Sequence, residues 1–281
     1  MAPTGLSLHI GLNTVDPARY GGWDGRLLAC EYDAHDMAEL ARAAGFADTV
    51  LLTSEATVDN VTAALGEAAR RLRDGDVLLL TYSGHGGQLP DETGDEADAL
   101  DETLVLYDRE FLDDELQREL AGCADGVRIL VLLDCCHSGT AIETRDRLAP
   151  EVLEEQFGTA DRDEVEAAAR LMPAVQQGAA YQRDRGFFQD LQRELRAGGG
   201  RETADAVLIS ACQDDQLAAD GRKNGKFTGT LLKTWDQGAF QGDHKTFHRA
   251  ILRHMPPSQT PNLHVTGRPS DEFMAQRPFT V

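Results

Sequence analysis

Two stretches of the sequence, each an apolar run that ends in small and reactive residues, decide the fold. Residues 76–87 read DVLLLTYSGHGG, and residues 128–139 read RILVLLDCCHSG. Runs of Val, Ile and Leu bounded by turn residues are typical of strands that are buried on both faces of a parallel sheet. Ligands of open α/β sheets bind beyond the carboxyl ends of the strands. The two stretches therefore place His85 and Cys136 where a ligand would bind.

Similar apolar runs alternate with helical patterns along the chain. This order predicts an α/β fold with a central, mostly parallel sheet flanked by helices on both faces. The predicted strands are 6–13, 49–53, 76–83, 128–135, 206–211 and 262–266, and the predicted helices are 30–44, 58–73, 113–121, 224–235 and 245–254. Ser54 and Thr57 are candidate caps of the second helix, and Gly45 is a candidate stop for the first.

Residues 144–203 have a different composition, rich in Glu, Gln, Arg and Ala, and the glycine run 198–200 lies near their end. Part of this stretch has a helical pattern, notably 187–196. It is predicted to be a linker or insertion, after which the sheet resumes at Ala206.

The composition excludes several classes of protein. The 281 residues are 41% hydrophobic and carry a net charge of −21, which would repel a nucleic-acid backbone. The sequence shows neither a leader pattern nor an apolar run of about 18 residues, so a cytoplasmic protein without a membrane partner is expected. Five cysteines are an odd number in a chain of this kind, which favours reduced thiols over a disulfide framework.

His85 and Cys136 suit nucleophilic catalysis on a peptide bond. A thiolate that attacks a carbonyl needs a base, an acid for the leaving amine and donors for the oxyanion. His85 can be both base and acid, and it precedes Cys136 by about 50 residues, the spacing known for caspases. Backbone N–H groups near Gly86 and Cys136 are the natural oxyanion donors. Either cysteine alone would more often be a small core residue.

Other chemistries fit the sequence less well. A zinc site made of Cys135, Cys136, His137 and His85 is disfavoured, because zinc ligands are usually separated by two to four residues. A nucleotide-binding domain is disfavoured because neither of the glycine-rich phosphate motifs is present. A catalytically inactive binding or scaffold module remains the alternative from another class.

The motifs YSGHGG (82–87) and DCCHSG (134–139) resemble those of the metacaspases and their bacterial relatives, the orthocaspases, in the caspase-like clan. The resemblance extends through AVLISACQDDQLAAD (206–220), NGKFTGTLLKTW (224–235) and QTPNLHVTG (259–267). It implies a cysteine endopeptidase with one caspase-like domain over residues 1–281. Residues 1–143 would form its large-subunit-like part and residues 204–281 its small-subunit-like part.

The resemblance also assigns the nucleophile. In the family the reactive thiol directly precedes His-Ser-Gly, which selects Cys136, whereas the position of Cys135 is often filled by Ser or Cys. Strand alternation would place the two thiols on opposite faces of the sheet. A buried, inert Cys135 is expected.

A pocket for a basic side chain needs carboxylates, and the resemblance supplies candidates. The implied S1 pocket, which would hold the residue before the cleaved bond (P1), consists of Cys30, Asp33, Ser83 and Asp134. Such a pocket would favour P1 Arg or Lys and reject Asp. The family usually has Gly where this chain has Ala29. The implied partners are protein or peptide substrates with a basic P1 residue.

Acidic residues crowd the loop that follows His85: Asp91, Glu92, Asp95, Glu96, Asp98, Asp101 and Glu102. Hard oxygen ligands at this density suit Ca²⁺, although no EF-hand pattern is present. The resemblance to calcium-dependent metacaspases implies ligands at Asp101, Asp113, Asp114 and Glu143, the last standing where Asp would be expected. A solvated acidic loop is the alternative.

The linker carries many arginines, which a peptidase that cuts after Arg would meet as tethered substrates. Exposed, glycine-rich chain is where nicking concentrates. Self-cleavage is therefore predicted within residues 144–203, with Arg185, Arg196 and Arg201 as the leading sites, and its loss is predicted in Cys136→Ala.

Overall fold

The fold is taken from a computed structural model that describes residues 3–91, 99–136, 149–197, 204–213 and 216–281. Its strands are β1 (Gly5–Gly11), β2 (Phe46–Leu52), β3 (Val77–Ser83), β4 (Gly86–Pro90), β5 (Leu100–Val105), β6 (Glu110–Leu112), β7 (Arg128–Asp134), β8 (Ala206–Ser210) and β9 (Asn262–Thr266). Six of them form a sheet in the order β2-β1-β3-β7-β8-β9, and β4-β5-β6 form a smaller one.

The larger sheet is parallel except for β9, which runs antiparallel to β8. All residues of β1 and β3 and nearly all of β7 are buried, as their continuous apolar runs indicate. The register pairs Ser83 with Asp134 at the carboxyl ends of β3 and β7. Two predicted pocket residues are thereby neighbours across the sheet.

Helices cover both faces of this sheet, so the predicted fold class is confirmed. The helices are α1 (Cys30–Ala43), α2 (Val58–Arg71), α3 (Asp113–Leu120), α4 (Pro150–Phe157), α5 (Arg162–Ala168), α6 (Ala174–Ala197), α7 (Lys226–Trp235), α8 (His244–Leu252) and α9 (Asp271–Ala275). One apolar cluster packs α2 and α3 on one face, and the other packs α1, α7 and α8 on the opposite face.

Local signals set the ends of several helices. The Thr57 hydroxyl accepts a hydrogen bond from the N–H of Asn60 and caps α2, as predicted. Gly45 follows α1 with a φ of +96°, a left-handed conformation that favours glycine and ends the helix there. In the described parts of the chain, none of the helices is both long and apolar enough to cross a bilayer.

The described part of the linker, residues 149–197, contains α4, α5 and α6. Between α5 and α6 the chain is extended and forms two isolated β-bridges, one from Ala169 to Ala219 and one from Leu171 to Gly86. We call residues Ala168–Met172 the cleft segment. It brings the linker to the carboxyl edge of the large sheet.

Candidate active site

His85 lies between β3 and β4 and is buried. Its Nε2 lies 2.9 Å from the carbonyl oxygen of Gly25, and its ring lies 4.8 Å, centroid to centroid, from that of Trp23. A carbonyl can only accept, so Nε2 carries the proton and Nδ1 keeps its lone pair. Nδ1 is buried and accepts no hydrogen bond of ordinary geometry in the described part of the chain, although the Leu171 backbone lies close enough to affect the ring's pKa. The arrangement leaves Nδ1 available as a base.

Cys136 follows the end of β7 and is buried. Its Sγ lies 2.8 Å from the N–H of Ala218, which donates to it. Cys135 packs in the apolar cluster on one face of the sheet and Cys136 in the cluster on the other, as strand alternation predicts. A Cβ atom at Gly86 would lie 1.6 Å from the carbonyl oxygen of Cys136. Only glycine allows the backbones beside His85 and Cys136 to approach so closely.

The backbone N–H groups of Gly86 and Cys136 converge on one acceptor. Each donates to the carbonyl oxygen of Arg170, at 3.0 Å in both cases. Two backbone donors aimed at a single carbonyl oxygen form the geometry that stabilises an oxyanion during acyl transfer. The carbonyl oxygen of Arg170 thus lies where two backbone donors converge.

The side chain of Arg170 fills the predicted pocket. It is 0% exposed and forms ion pairs with Asp33 (2.7 Å), Asp134 (2.9 Å) and Asp220 (3.0 Å). Its Nη1 also donates to the Ser83 hydroxyl at 2.8 Å. We call Asp33, Ser83, Asp134 and Asp220 the basic-residue pocket. Cys30 is buried beside it and forms a side-chain hydrogen bond with Ser83.

Neighbouring groups hold the pocket carboxylates in place. The N–H of Gly225 donates to Asp33, and the N–H and hydroxyl of Thr228 donate to Asp134 Oδ2 at 3.0 and 2.7 Å. Asp220 accepts from the N–H groups of Leu28 and Ala29. Buried carboxylates are tolerated where hydrogen bonds and a cation compensate for lost hydration.

Electrostatics in the pocket favour a cationic occupant. Burial raises the pKa of Asp33 to about 6, while the Arg170 guanidinium opposes the rise. Burial alone would lower the pKa of Arg170, yet the carboxylates of Asp134, Asp33 and Asp220 raise it well above its usual value. Without a cation, three buried carboxylates would repel one another. In this structure the guanidinium of Arg170 supplies that cation.

The environment of His85 differs from that of a histidine in water. Burial lowers its pKa to about 4, the Arg170 charge lowers it further, and the carbonyl of Gly25 opposes both effects. The backbone of Leu171 is near enough to His85 to influence this pKa. The ring is thus neutral at ordinary pH, as a general base must be.

The predicted calcium ligands are only partly placed. Burial, together with the carboxylates of Asp114, Glu102 and Asp101, raises the pKa of Asp113 to about 8. Gln192 of α6 donates a hydrogen bond to Asp101. Glu143 lies outside the described residues. Within the described ranges no three His, Cys, Asp or Glu side chains are grouped to hold a metal ion.

Of the predicted self-cleavage sites, the two that the structure describes do not occupy the cleft. Arg185 and Arg196 lie in α6, and Arg201 falls outside the described residues. Arg170, an arginine of the same linker that is not one of the leading sites, fills the pocket instead. The sequence also gave no signal for the Gly25 carbonyl, because any residue can supply a backbone carbonyl. Asp220 lies in the quoted stretch 206–220, but its pocket role shows only in three dimensions.

Comparisons with known proteins identify the family. Residues 10–278 match the family model described as Peptidase_C14, caspase domain. The chain therefore belongs to the caspase domain family, a family of cysteine-type peptidases, and the prediction of a metacaspase-like peptidase is confirmed.

Among curated proteins the chain is 30% identical to Metacaspase-1 of Mycosarcoma maydis over 79% of its own length and 59% of that protein's. It is 32% identical to Metacaspase-1 of Coccidioides immitis, over 80% and 52%. The chain thus spans little more than half the length of these relatives.

Solved structures share the fold. The crystal structure of protein GSU0716 from Geobacter sulfurreducens is 45% identical, with a TM-score of 0.85 and 99% of both chains covered. The structure of Caspase-1 from Spodoptera frugiperda is 12% identical, with a TM-score of 0.57, and covers 94% of this chain and 86% of that one. The latter likeness concerns the fold alone.

Proposed function

We propose that the protein is a cysteine endopeptidase that cleaves after Arg or Lys, with Cys136 as nucleophile and His85 as general base and acid. The observation that carries the proposal is the pocket of Asp33, Asp134 and Asp220, which surrounds a guanidinium beside the peptide carbonyl held by Gly86 and Cys136. The names of the metacaspase relatives agree with this activity.

The proposed mechanism gives each of these groups a role. His85 Nδ1 takes the thiol proton, and Cys136 Sγ attacks the carbonyl carbon of the P1 residue. The N–H groups of Gly86 and Cys136 stabilise the oxyanion. His85 then protonates the leaving amine, and water hydrolyses the thioester. The Gly25 carbonyl holds the histidine in the tautomer that this sequence requires.

Specificity comes from the paired charges. An Arg side chain can form ion pairs with Asp33, Asp134 and Asp220 at the same time. A Lys side chain supplies the positive charge but lacks the planar guanidinium that can pair with several carboxylates. An acidic P1 side chain would add a fourth negative charge to a buried site. We therefore expect efficient cleavage after Arg, weaker cleavage after Lys and none after Asp.

The direct test is a positional-scanning peptide library with wild type and Cys136→Ala. Most products of the wild type should have Arg or Lys at P1, and Cys136→Ala should give no cleavage products. Efficient cleavage after Asp or Gln would contradict the specificity. A folded wild type that neither cleaves any peptide nor reacts with a thiol-directed peptidyl probe would favour an inactive binding module.

We also propose that calcium stimulates the enzyme through Asp101, Asp113, Asp114 and Glu143. The donors are carboxylates, which Ca²⁺ prefers, and the charges of Asp114, Glu102 and Asp101 help to raise the pKa of Asp113, an effect that a cation would reverse. Binding would require some rearrangement, since Asp101 is engaged by Gln192 of the linker. Calcium titration of Cys136→Ala by calorimetry, compared with Asp113→Asn in the same background, tests binding apart from activity. Equal heats from both variants would contradict this ligand set.

Self-processing belongs to the same proposal. Arg185, Arg196 and Arg201 remain candidate sites, and cleavage at the first two would require local unfolding of α6. All five cysteines are free thiols. Reduced thiols suit the cytoplasm, where we propose that the enzyme acts.

A further inference from the structure

The cleft segment is bound as a peptide substrate would be. The N–H of Arg170 donates to Ala218 O at 3.0 Å, and the N–H of Asp220 donates to Ala168 O at 2.8 Å. On the other side the N–H of Met172 donates to Gly86 O at 2.8 Å. The main chain is thus paired on both edges, antiparallel to residues 218–220 and parallel to the start of β4. Strand addition of this kind is a common way to bind extended peptides.

The segment also presents a bond in register with the catalytic groups. The Arg170 carbonyl oxygen lies between the two oxyanion donors, and its side chain fills the basic-residue pocket. The backbone of the next residue, Leu171, lies within hydrogen-bonding reach of the His85 ring and raises its pKa. The Arg170–Leu171 bond therefore has an oxyanion site and a filled side-chain pocket, and the backbone of Leu171 lies beside the histidine.

We propose that Arg170 is a tethered P1 residue: in the uncut chain it blocks the substrate cleft, and the Arg170–Leu171 bond is the first that the enzyme cuts. This inference rests on the proposed function. It adds an internal inhibitor and a defined first cleavage site, distinct from Arg185, Arg196 and Arg201.

The chemistry balances without a further reactant other than water. The Cys136 thiol proton moves to His85, and Sγ bonds to the Arg170 carbonyl carbon. The bond from that carbon to Leu171 N breaks, and His85 gives its proton to the nitrogen. Water then hydrolyses the thioester and restores the thiol. The products are a new carboxylate at Arg170 and a new amine at Leu171.

Arg170 can block the cleft because it is part of the same chain as the cleft. A linked ligand competes at an effective concentration that is commonly millimolar, so a dilute external substrate seldom enters. Only conformers that have released Arg170 can bind it, which lowers the apparent affinity by the released fraction. After cleavage the new terminus at Arg170 is no longer held from the Leu171 side. External substrates then compete with a ligand tethered at one end only.

The experiment compares Arg170→Gln with Arg193→Gln, the same change at an exposed arginine of α6. Each variant and the wild type are mixed with a peptidyl-Arg fluorogenic substrate at millimolar calcium, and new N-termini are mapped by mass spectrometry. Wild type and Arg193→Gln should show a lag that coincides with a new terminus at Leu171. Arg170→Gln should lack that terminus and start without a lag, at least about tenfold faster than uncut wild type.

Arg170→Lys controls for misfolding of Arg170→Gln, because the lysine keeps a positive charge among the buried carboxylates. It should be cut at the same bond and regain the lag. The inference is overturned if wild type still intact at Arg170–Leu171 hydrolyses the substrate at its full rate. It is also overturned if Arg170→Lys folds and is cut only elsewhere. If instead every variant folds and none hydrolyses any Arg substrate, the proposed function has failed rather than the tether.

Discussion

Two arginines of one linker have opposite surroundings. Arg170 lies in the extended cleft segment, fully buried among three carboxylates. Arg193 lies in α6, 70% exposed, and pairs with Asp190 one helical turn away. Exposed pairs of this kind contribute little to stability. The difference shows that an arginine in this linker reaches the cleft through its backbone conformation, since a helix has no free N–H and C=O groups for strand pairing.

The comparison depends first on the nucleophile. Cys136→Ala should lower the rate of cutting at Arg170–Leu171 by at least about a thousandfold, because loss of a nucleophile removes the covalent pathway. Cys135→Ala is the matched control: its thiol packs on the opposite face of the sheet, so most activity should remain. Both are measured by intact mass after incubation. An active Cys136→Ala with a dead, folded Cys135→Ala would reverse the assignment.

The second prediction concerns what distinguishes Arg170 from other arginines. Asp33→Asn leaves the buried guanidinium with one charged partner fewer, a change that costs about 2–4 kcal/mol at comparable buried pairs. Cleavage of an Arg substrate, and of Arg170–Leu171, should fall by roughly thirtyfold to a thousandfold. The control is Asp59→Asn, at an exposed residue of α2.

Substrate specificity is the readout that separates this effect from general damage. Asp33→Asn should lose more rate with P1 Arg than with an uncharged P1 side chain. Equal losses for both substrates would mean that Asp33 supports the fold and does not select the side chain.

The third prediction separates the two kinds of arginine by kinetics. Cutting at Arg170 is intramolecular, so its first-order rate constant should be unchanged when the protein is diluted. Arg185 and Arg196 lie in the folded α6, so although they are tethered to their own molecule we expect a second enzyme molecule to cut them after local unfolding. The rate of these cuts should then fall about tenfold on tenfold dilution. Mass spectrometry of both products over time measures this. A dilution-dependent cut at Arg170–Leu171 would contradict the tethered geometry.

The same contrast explains what the sequence could predict. Long apolar runs that end in Gly-flanked reactive residues predicted β3 and β7, and with them the sheet edge where the site lies. The strand β9 also has the predicted bounds. The predicted helix at 224 begins instead at Lys226, because Asn224 and the Gly225 N–H bind Asp33. A tertiary contact overrides local propensity there.

Other features depend on contacts distant in sequence. The small sheet was not predicted, because Gly86 and Gly87 lack the side chains that indicate a strand. Arg170 is one of many linker arginines, and no local pattern distinguishes it. Its role follows from carboxylates at positions 33, 134 and 220, which only folding brings together.

The last and smallest expected effect is on the titration of His85. In Cys136→Ala, which stays uncut, its pKa should be about 4, because burial under the cleft segment disfavours the charged ring. In Cys136→Ala/Arg170→Gln the segment is no longer held by the pocket, and the Arg170 charge is gone. Both changes should raise the pKa towards the ordinary value of about 6.5. NMR titration of the ring protons measures the shift.

His9 supplies the internal control. Its pKa is also lowered to about 4, but by burial within the sheet, where its Nδ1 lies 2.9 Å from the Thr81 hydroxyl. The cleft segment does not contact it, so its pKa should be equal in both variants. For each histidine the folded pKa lies below the unfolded one. Its contribution to stability is therefore complete above about pH 6.5 and is lost as the pH falls towards 4. Opening the cleft should reduce that acid sensitivity for His85 alone, and an unchanged His85 pKa would mean that the segment stays in place without Arg170.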